Sequence, residues 1–125
     1  MSDLLVGHIR SLVPCLQATL KTGKLIFQNR GEINFTVDTG FTGSIAMPLP
    51  LLRKLDFELR AYETFRLATG EERELPIYWG DVWIHNQSFK TWFVPGDPLL
   101  GMEFLSIVGS QLVLLFKQKL LLLKK

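Results

Sequence analysis

Asp38-Thr39-Gly40 is the stretch of this chain best suited to chemistry. It closes the apolar run Ile33-Asn34-Phe35-Thr36-Val37 and leads into Phe41-Thr42-Gly43-Ser44-Ile45-Ala46-Met47-Pro48. A β-branched strand that delivers an aspartate into a glycine-containing turn holds a carboxylate at the end of a rigid element. Glycine at 40 lets the backbone and a second copy of the turn approach closely. Peptide hydrolysis by carboxylates needs two of them sharing one proton, because like charges ~3 Å apart do not both ionise. The ionised member takes a proton from the attacking water while the protonated one donates to the substrate carbonyl. Such a pair titrates as a unit. None of Asp3, Asp56, Asp81 or Asp97 is followed by a similar small-residue turn. The second carboxylate is therefore expected from a second chain, with Asp38 meeting its own symmetry mate across a two-fold axis.

Other chemistries are less well provided for. His8 and His85 have no cysteine or carboxylate at metal-ligand spacing, so no metal and no cofactor are expected. Ser44, Ser88 and Ser106 do not sit in a Gly-x-Ser-x-Gly elbow, and Cys15 has no recognisable catalytic setting. Trp79, Trp83 and Trp92, with Tyr78, Phe89 and Phe93, form an aromatic-rich stretch that reads as cross-strand packing rather than a base-stacking surface. Fourteen basic against twelve acidic residues leave a charge of +2, which gives no case for nucleic-acid binding.

The elements that must position Asp38 are short apolar runs separated by turn residues, the pattern of an all-β domain. Residues 4–9 and 12–20 read as two strands, with a turn at Thr22-Gly23. Residues 24–28 and 32–37 read as the next pair, closed by Asn29-Arg30-Gly31. Residues 44–47 resume extended structure, and 50–55 form at most a short helix. Two long arms, 62–68 and 74–84, meet across Thr69-Gly70-Glu71-Glu72. A turn at Asn86-Gln87 and a strand over 88–94 follow, and Pro95-Gly96-Asp97-Pro98 breaks the chain. Leu99-Leu100-Gly101 is a strand end running into a brief helix, and 111–116 and 119–123 are two final strands around Lys117-Gln118.

Three elements thus stand in order: Asp38-Thr39-Gly40-Phe41, a hairpin tipped by Thr69-Gly70, and Leu99-Leu100-Gly101-Met102 before a short helix. Their order and spacing resemble the retropepsin-like aspartic proteases, the single-domain group that includes the retroviral proteases and small prokaryotic members. The likeness runs over residues 4–123. It implies one domain over 1–125, an all-β, closed acid-protease barrel with one short C-terminal helix and a flap hairpin. It implies Asp38 as the catalytic carboxylate, Thr39 as the residue that locks the two active-site loops across the dimer axis, and Gly40 as the point of close substrate approach. Phe41, Thr42, Thr69 and Gly70 become substrate-binding residues, and Leu99-Leu100-Gly101 underlies the active-site turn. The implied activity is an aspartic endopeptidase acting as a homodimer on extended polypeptides bound as an added strand.

Two departures bear on rate and specificity. Phe41 stands where many family members carry alanine or serine, so a hydroxyl donor to the catalytic carboxylate is missing there and Thr42 is the substitute considered. The hairpin tip has one glycine rather than several. The alternative reading is a catalytically weak or inactive peptide-binding or dimerisation module of the same fold, and a third is a structural β-domain that docks through Leu120-Leu121-Leu122-Leu123. Those leucines read either as a dimer-forming edge or as an internal strand buried on both faces.

The single cysteine excludes an intrachain disulfide framework and suits a reducing, cytoplasmic location. The first residues lack a basic segment ahead of an apolar stretch, so no signal peptide is expected. Residues 112–123, the most apolar tail, are interrupted by Lys117-Gln118-Lys119 and fall short of the ~20 apolar residues of a membrane span.

Overall fold

Alternation sets the first element. Along Leu4–Arg10 (β1), Leu5, Gly7 and Ile9 are buried while Val6, His8 and Arg10 face outward. That is the two-residue period of a strand with one face on a core. The computed structural model describes residues 4–20, 32–55, 57–84 and 87–125. Within them the chain continues through Val13–Leu20 (β2), Glu32–Val37 (β3), Ile45–Met47 (β4), the helix Leu49–Lys54 (α1), Glu58–Arg66 (β5) and Glu72–Ile84 (β6). Gln87–Pro95 (β7), Leu99–Leu100 (β8), the helix Met102–Val108 (α2), Gln111–Leu115 (β9) and Leu120–Lys124 (β10) complete it. The expected strand over 24–28, the turns at 22–23 and 29–31, and His85 and Asn86 lie outside the described residues.

The protein is all-β in its main lines. Its strands form one mixed sheet in the order β5-β6-β7-β4-β8-β3-β2-β1-β10-β9. The pairs β3–β8 and β4–β7 are parallel and the others antiparallel. The expected closed barrel is not what this order describes. The sheet is open, because the ladder stops at β5 on one side and at β9 on the other. A further pairing of β2 with β6, through Thr19 opposite Trp83 and Leu20 opposite Val82, turns part of the sheet back towards itself.

Two strand boundaries are also corrected, and the short helix allowed for over 50–55 is present. Leu12 is not in a strand: Arg10 pairs with Val13, leaving Ser11 and Leu12 as a two-residue hairpin loop with φ of 50° and 67°. A helix joins the expected C-terminal one. α1 starts behind Pro48, has proline in its first turn, where the missing N–H costs no intrahelical bond, and is anchored by the fully buried Leu52. The first hairpin arm begins at Glu58 rather than at Tyr62. β10 lies inside the sheet between β1 and β9, with Leu121 and Leu123 buried, so among the described residues β9 rather than β10 ends this side of the sheet.

The core is built from Phe35, Ile45, Met47, Phe93, Leu100 and Phe104, none of which has any exposed surface. α2 contributes Phe104, Leu105 and Val108 to it, and Phe104 meets Phe89 edge to face, ring centroids 6.2 Å apart. These contacts hold β3, β8 and α2 to one another, which is what fixes Asp38. Among the described residues no helix is long and apolar enough to cross a membrane.

Candidate active site

β3 carries Asp38 outward from the core. Phe35 and Val37 point inward and are buried, and the chain then turns at Asp38-Thr39-Gly40. Parallel pairing with β8 sets Thr36 opposite Leu99 and Val37 opposite Leu100. The Thr36 amide donates to the Pro98 carbonyl and the Asp38 amide to the Leu100 carbonyl, each at 3.0 Å. On the far side of the turn the direction of donation reverses. The Gly101 amide donates to the Ser44 carbonyl at 2.7 Å, Met102 to Phe41 at 2.8 Å and Glu103 to Gly43 at 3.2 Å. Residues 38–44 are therefore tied on both flanks to 98–103, as the resemblance implied for Leu99-Leu100-Gly101.

Within the turn the Phe41 amide donates to the Asp38 carbonyl at 3.1 Å, and the Gly40 amide donates to Asp38 Oδ1 at 2.9 Å. Asp38 as a residue is half-buried, its Oδ1 bond to Gly40 is exposed, and the donor is a backbone N–H rather than a side-chain hydroxyl. Thr42, the substitute donor that the sequence offers, is exposed, and the bond to the carboxylate comes from Gly40 instead. Phe41 does not stand over the turn. Its ring lies against Gly43 and Gly101, so close that a Cβ on either glycine would come within 2.7 Å of it. Two glycines thus make room for the Phe41 ring.

The remaining site residues are spread over three places. Thr39 is exposed and lines a groove of about 410 Å³ between α2 and β9, beside Met102, Ser106, Gln111 and Leu112. Thr69 and Gly70 sit at the tip of the β5–β6 hairpin, whose hydrogen bonds are internal: Leu67 N–H to the Glu71 carbonyl at 2.8 Å and Gly70 N–H to the Leu67 carbonyl at 2.9 Å. Gly70 has φ of +86°, a conformation glycine adopts without a Cβ clash. The structure does not bring this tip into contact with Asp38. A cavity of about 240 Å³ is lined by Phe41, Gly43 and Ser44 from the loop after Asp38, by Ala61, Glu63 and Phe65 of β5, and by Trp92, Val94 and Glu103.

Sequence reasoning missed that cavity's walls, although a signal was present. Ala61, Glu63 and Phe65 alternate along β5, as Trp92 and Val94 do along β7, so each set shares one face. It also missed a buried hydroxyl pair behind the loop, Ser44 Oγ with Thr91 Oγ1. The aromatic stretch reads correctly as packing: Trp79 and Trp92 are cross-strand partners with centroids 4.3 Å apart. Among the described residues no group of three or more His, Cys, Asp or Glu side chains is placed to hold a metal ion. No protein-family model matches the chain, and comparison with curated proteins finds no relative.

Proposed function

We propose that the chain is a retropepsin-like aspartic endopeptidase, acting as a homodimer on extended polypeptides in a reducing, cytoplasmic setting. The observation that carries this reading is the Asp38 turn. Asp38, a half-buried residue whose Oδ1 accepts from its own Gly40 amide, ends a core strand, and the backbone of its turn is bonded on both flanks to the segment that opens α2. Preorganisation of that kind suits a group that must take and return a proton at a fixed place. The single turn of this type per chain supports the two-fold dimer, in which two copies of Asp38 share a proton and activate one water between them. Thr39 then links the two turns, and the β5–β6 hairpin, with Thr69-Gly70 at its tip, closes over the substrate beside Phe41 and Thr42.

The free edge supports a specific interface. β9 presents Leu112, Val113, Leu114 and Leu115, all part-exposed, with no charge until Lys117, and Phe116 next to them is 65% exposed. An uncharged apolar edge is what a second copy covers best. Antiparallel addition of β9 to its mate extends the sheet across the two-fold and leaves the groove beside Thr39 at the junction.

Cleavage of a diverse peptide pool, read by mass spectrometry from acid to neutral pH, tests the reading. Wild type is compared with Asp38→Asn at concentrations that hold a dimer. Cuts that fall by on the order of 10²–10⁴-fold in the variant support the peptidase. Equal cutting by both proteins, or none from a folded dimer, overturns it, and the latter leaves a peptide-clasping module.

A further inference from the structure

From the cavity beside the active-site loop, we infer a subsite for a cationic side chain on an apolar stem, an arginine or lysine of the bound peptide. The inference rests on reading the cleft as a peptide site and adds the substrate class. Size gives the first argument. About 240 Å³ is below the roughly 300–1,000 Å³ of pockets that enclose whole small-molecule ligands, and it suits one long side chain.

The chemistry of the walls gives the second. Phe41, Ala61, Phe65, Ile77, Trp92 and Val94 make the walls largely apolar, which suits a methylene stem, and the three aromatic side chains among them favour a cation at its end. The polar groups of the lining are unevenly signed. Glu63 of β5 and Glu103 of the first turn of α2 both line the cavity and are both exposed, so two acidic residues stand at its solvent-facing rim from different elements. Neither has an ion-pair or hydrogen-bond partner for its carboxylate among the described residues.

Neighbouring cations do not neutralise them. Arg60 is bridged to Glu58 at 3.0 Å, Arg66 to Glu72 at 3.3 Å and Arg73 to Glu71 at 3.5 Å. Each hairpin arginine is thus engaged with a glutamate outside the cavity. An apolar cavity rimmed by two unshared acidic residues discriminates by charge. It accepts guanidinium or ammonium groups and rejects acidic side chains, which would bring a third negative charge to the same place.

The test walks one arginine along a capped octapeptide and sets each peptide against the same sequence with citrulline, which keeps the shape and removes the charge. Cutting by wild type is read by mass spectrometry, and binding to Asp38→Asn is read by the tryptophan indole resonances. At one position we expect arginine to be favoured roughly five- to tenfold, the weight of one or two charge-assisted contacts at a solvent-facing rim. In Glu63→Gln/Glu103→Gln that ratio falls towards one. A ratio of one in wild type at every position overturns the subsite, even if peptides are cut. A persistent ratio in binding without any Asp38-dependent cut keeps the subsite and removes the peptidase. No binding of any peptide overturns both.

Discussion

Gly101 and Gly43 meet backbone to backbone. A Cβ at 101 would stand 2.2 Å from the Gly43 carbonyl oxygen and 2.7 Å from that of Phe41. The small residue at the head of α2 is what allows residues 98–103 and 38–44 to lie close enough to exchange their hydrogen bonds. Gly101→Ala has to push the two segments apart. The expected cost is about 1–3 kcal/mol, the usual penalty of overpacking, read as a lower midpoint in urea. Unchanged stability would mean that the loop yields freely.

The hydroxyl pair behind the loop gives a second expectation. Ser44 and Thr91 are 4% and 1% exposed, and each hydroxyl is the other's partner. Ser44→Ala leaves the Thr91 hydroxyl buried without its partner and should cost about 1–3 kcal/mol, whereas Ser44→Ala/Thr91→Val removes both groups and should cost less than the sum of the single changes. A double-mutant cycle on unfolding free energies measures the difference. Strict additivity would show that the two hydroxyls do not depend on each other.

The first hairpin carries removable strain. Ser11 and Leu12 both have positive φ, the pair of conformations a type I′ turn requires, and Leu12 is 86% exposed with nothing to gain from its side chain. Ser11→Asn/Leu12→Gly should raise stability by about 1 kcal/mol, seen as a higher thermal midpoint. A fall instead would show that Leu12 is covered by a partner.

The interface proposal makes its own demand on the free edge. Val113→Lys puts a charge on part-exposed β9, opposite Leu122 of β10, and spares the core-packed Leu112 and Leu114. It should weaken dimerisation tenfold or more, measured by sedimentation equilibrium, and lower Asp38-dependent cleavage in parallel. A dimer that survives this change uses another surface.

Much of this arrangement is visible in the sequence, and the reasons it is visible are local. β3 is legible because Phe35 and Val37 alternate with polar neighbours, and the turn after it because Asp38-Thr39-Gly40 contains residues turns require. The β5–β6 hairpin is legible for the same reason at Thr69-Gly70. What escapes is whatever depends on partners distant along the chain. Ser11-Leu12 has none of the Asn, Asp or Gly that a two-residue turn with positive φ favours, so the loop is set by the register of Arg10 on Val13. Glu63 and Glu103 are forty residues apart and read as ordinary solvated acids until β5 and α2 face one cavity. That Phe41 folds onto Gly43 and Gly101 follows from the crossing of two segments, which no pattern within either one encodes. The free ends of the sheet likewise depend on strand order and not on any strand's own composition.

Leu4 pairs with Lys124, and the register continues through Leu5 with Leu123 and Val6 with Leu122. On the ribosome this is a matter of waiting. At roughly 5–20 residues per second, β1 emerges about 6–24 seconds before the strand that will cover its second side. During that interval its only sheet neighbour is β2, and a row of amides and carbonyls stands open beside Leu5 and Ile9. Contacts so far apart in the chain also slow closure once synthesis is complete. The nascent protein thus spends its early life as a half-covered template, and its yield in a cell depends on how quickly its last strand arrives and on what shields the first one until then.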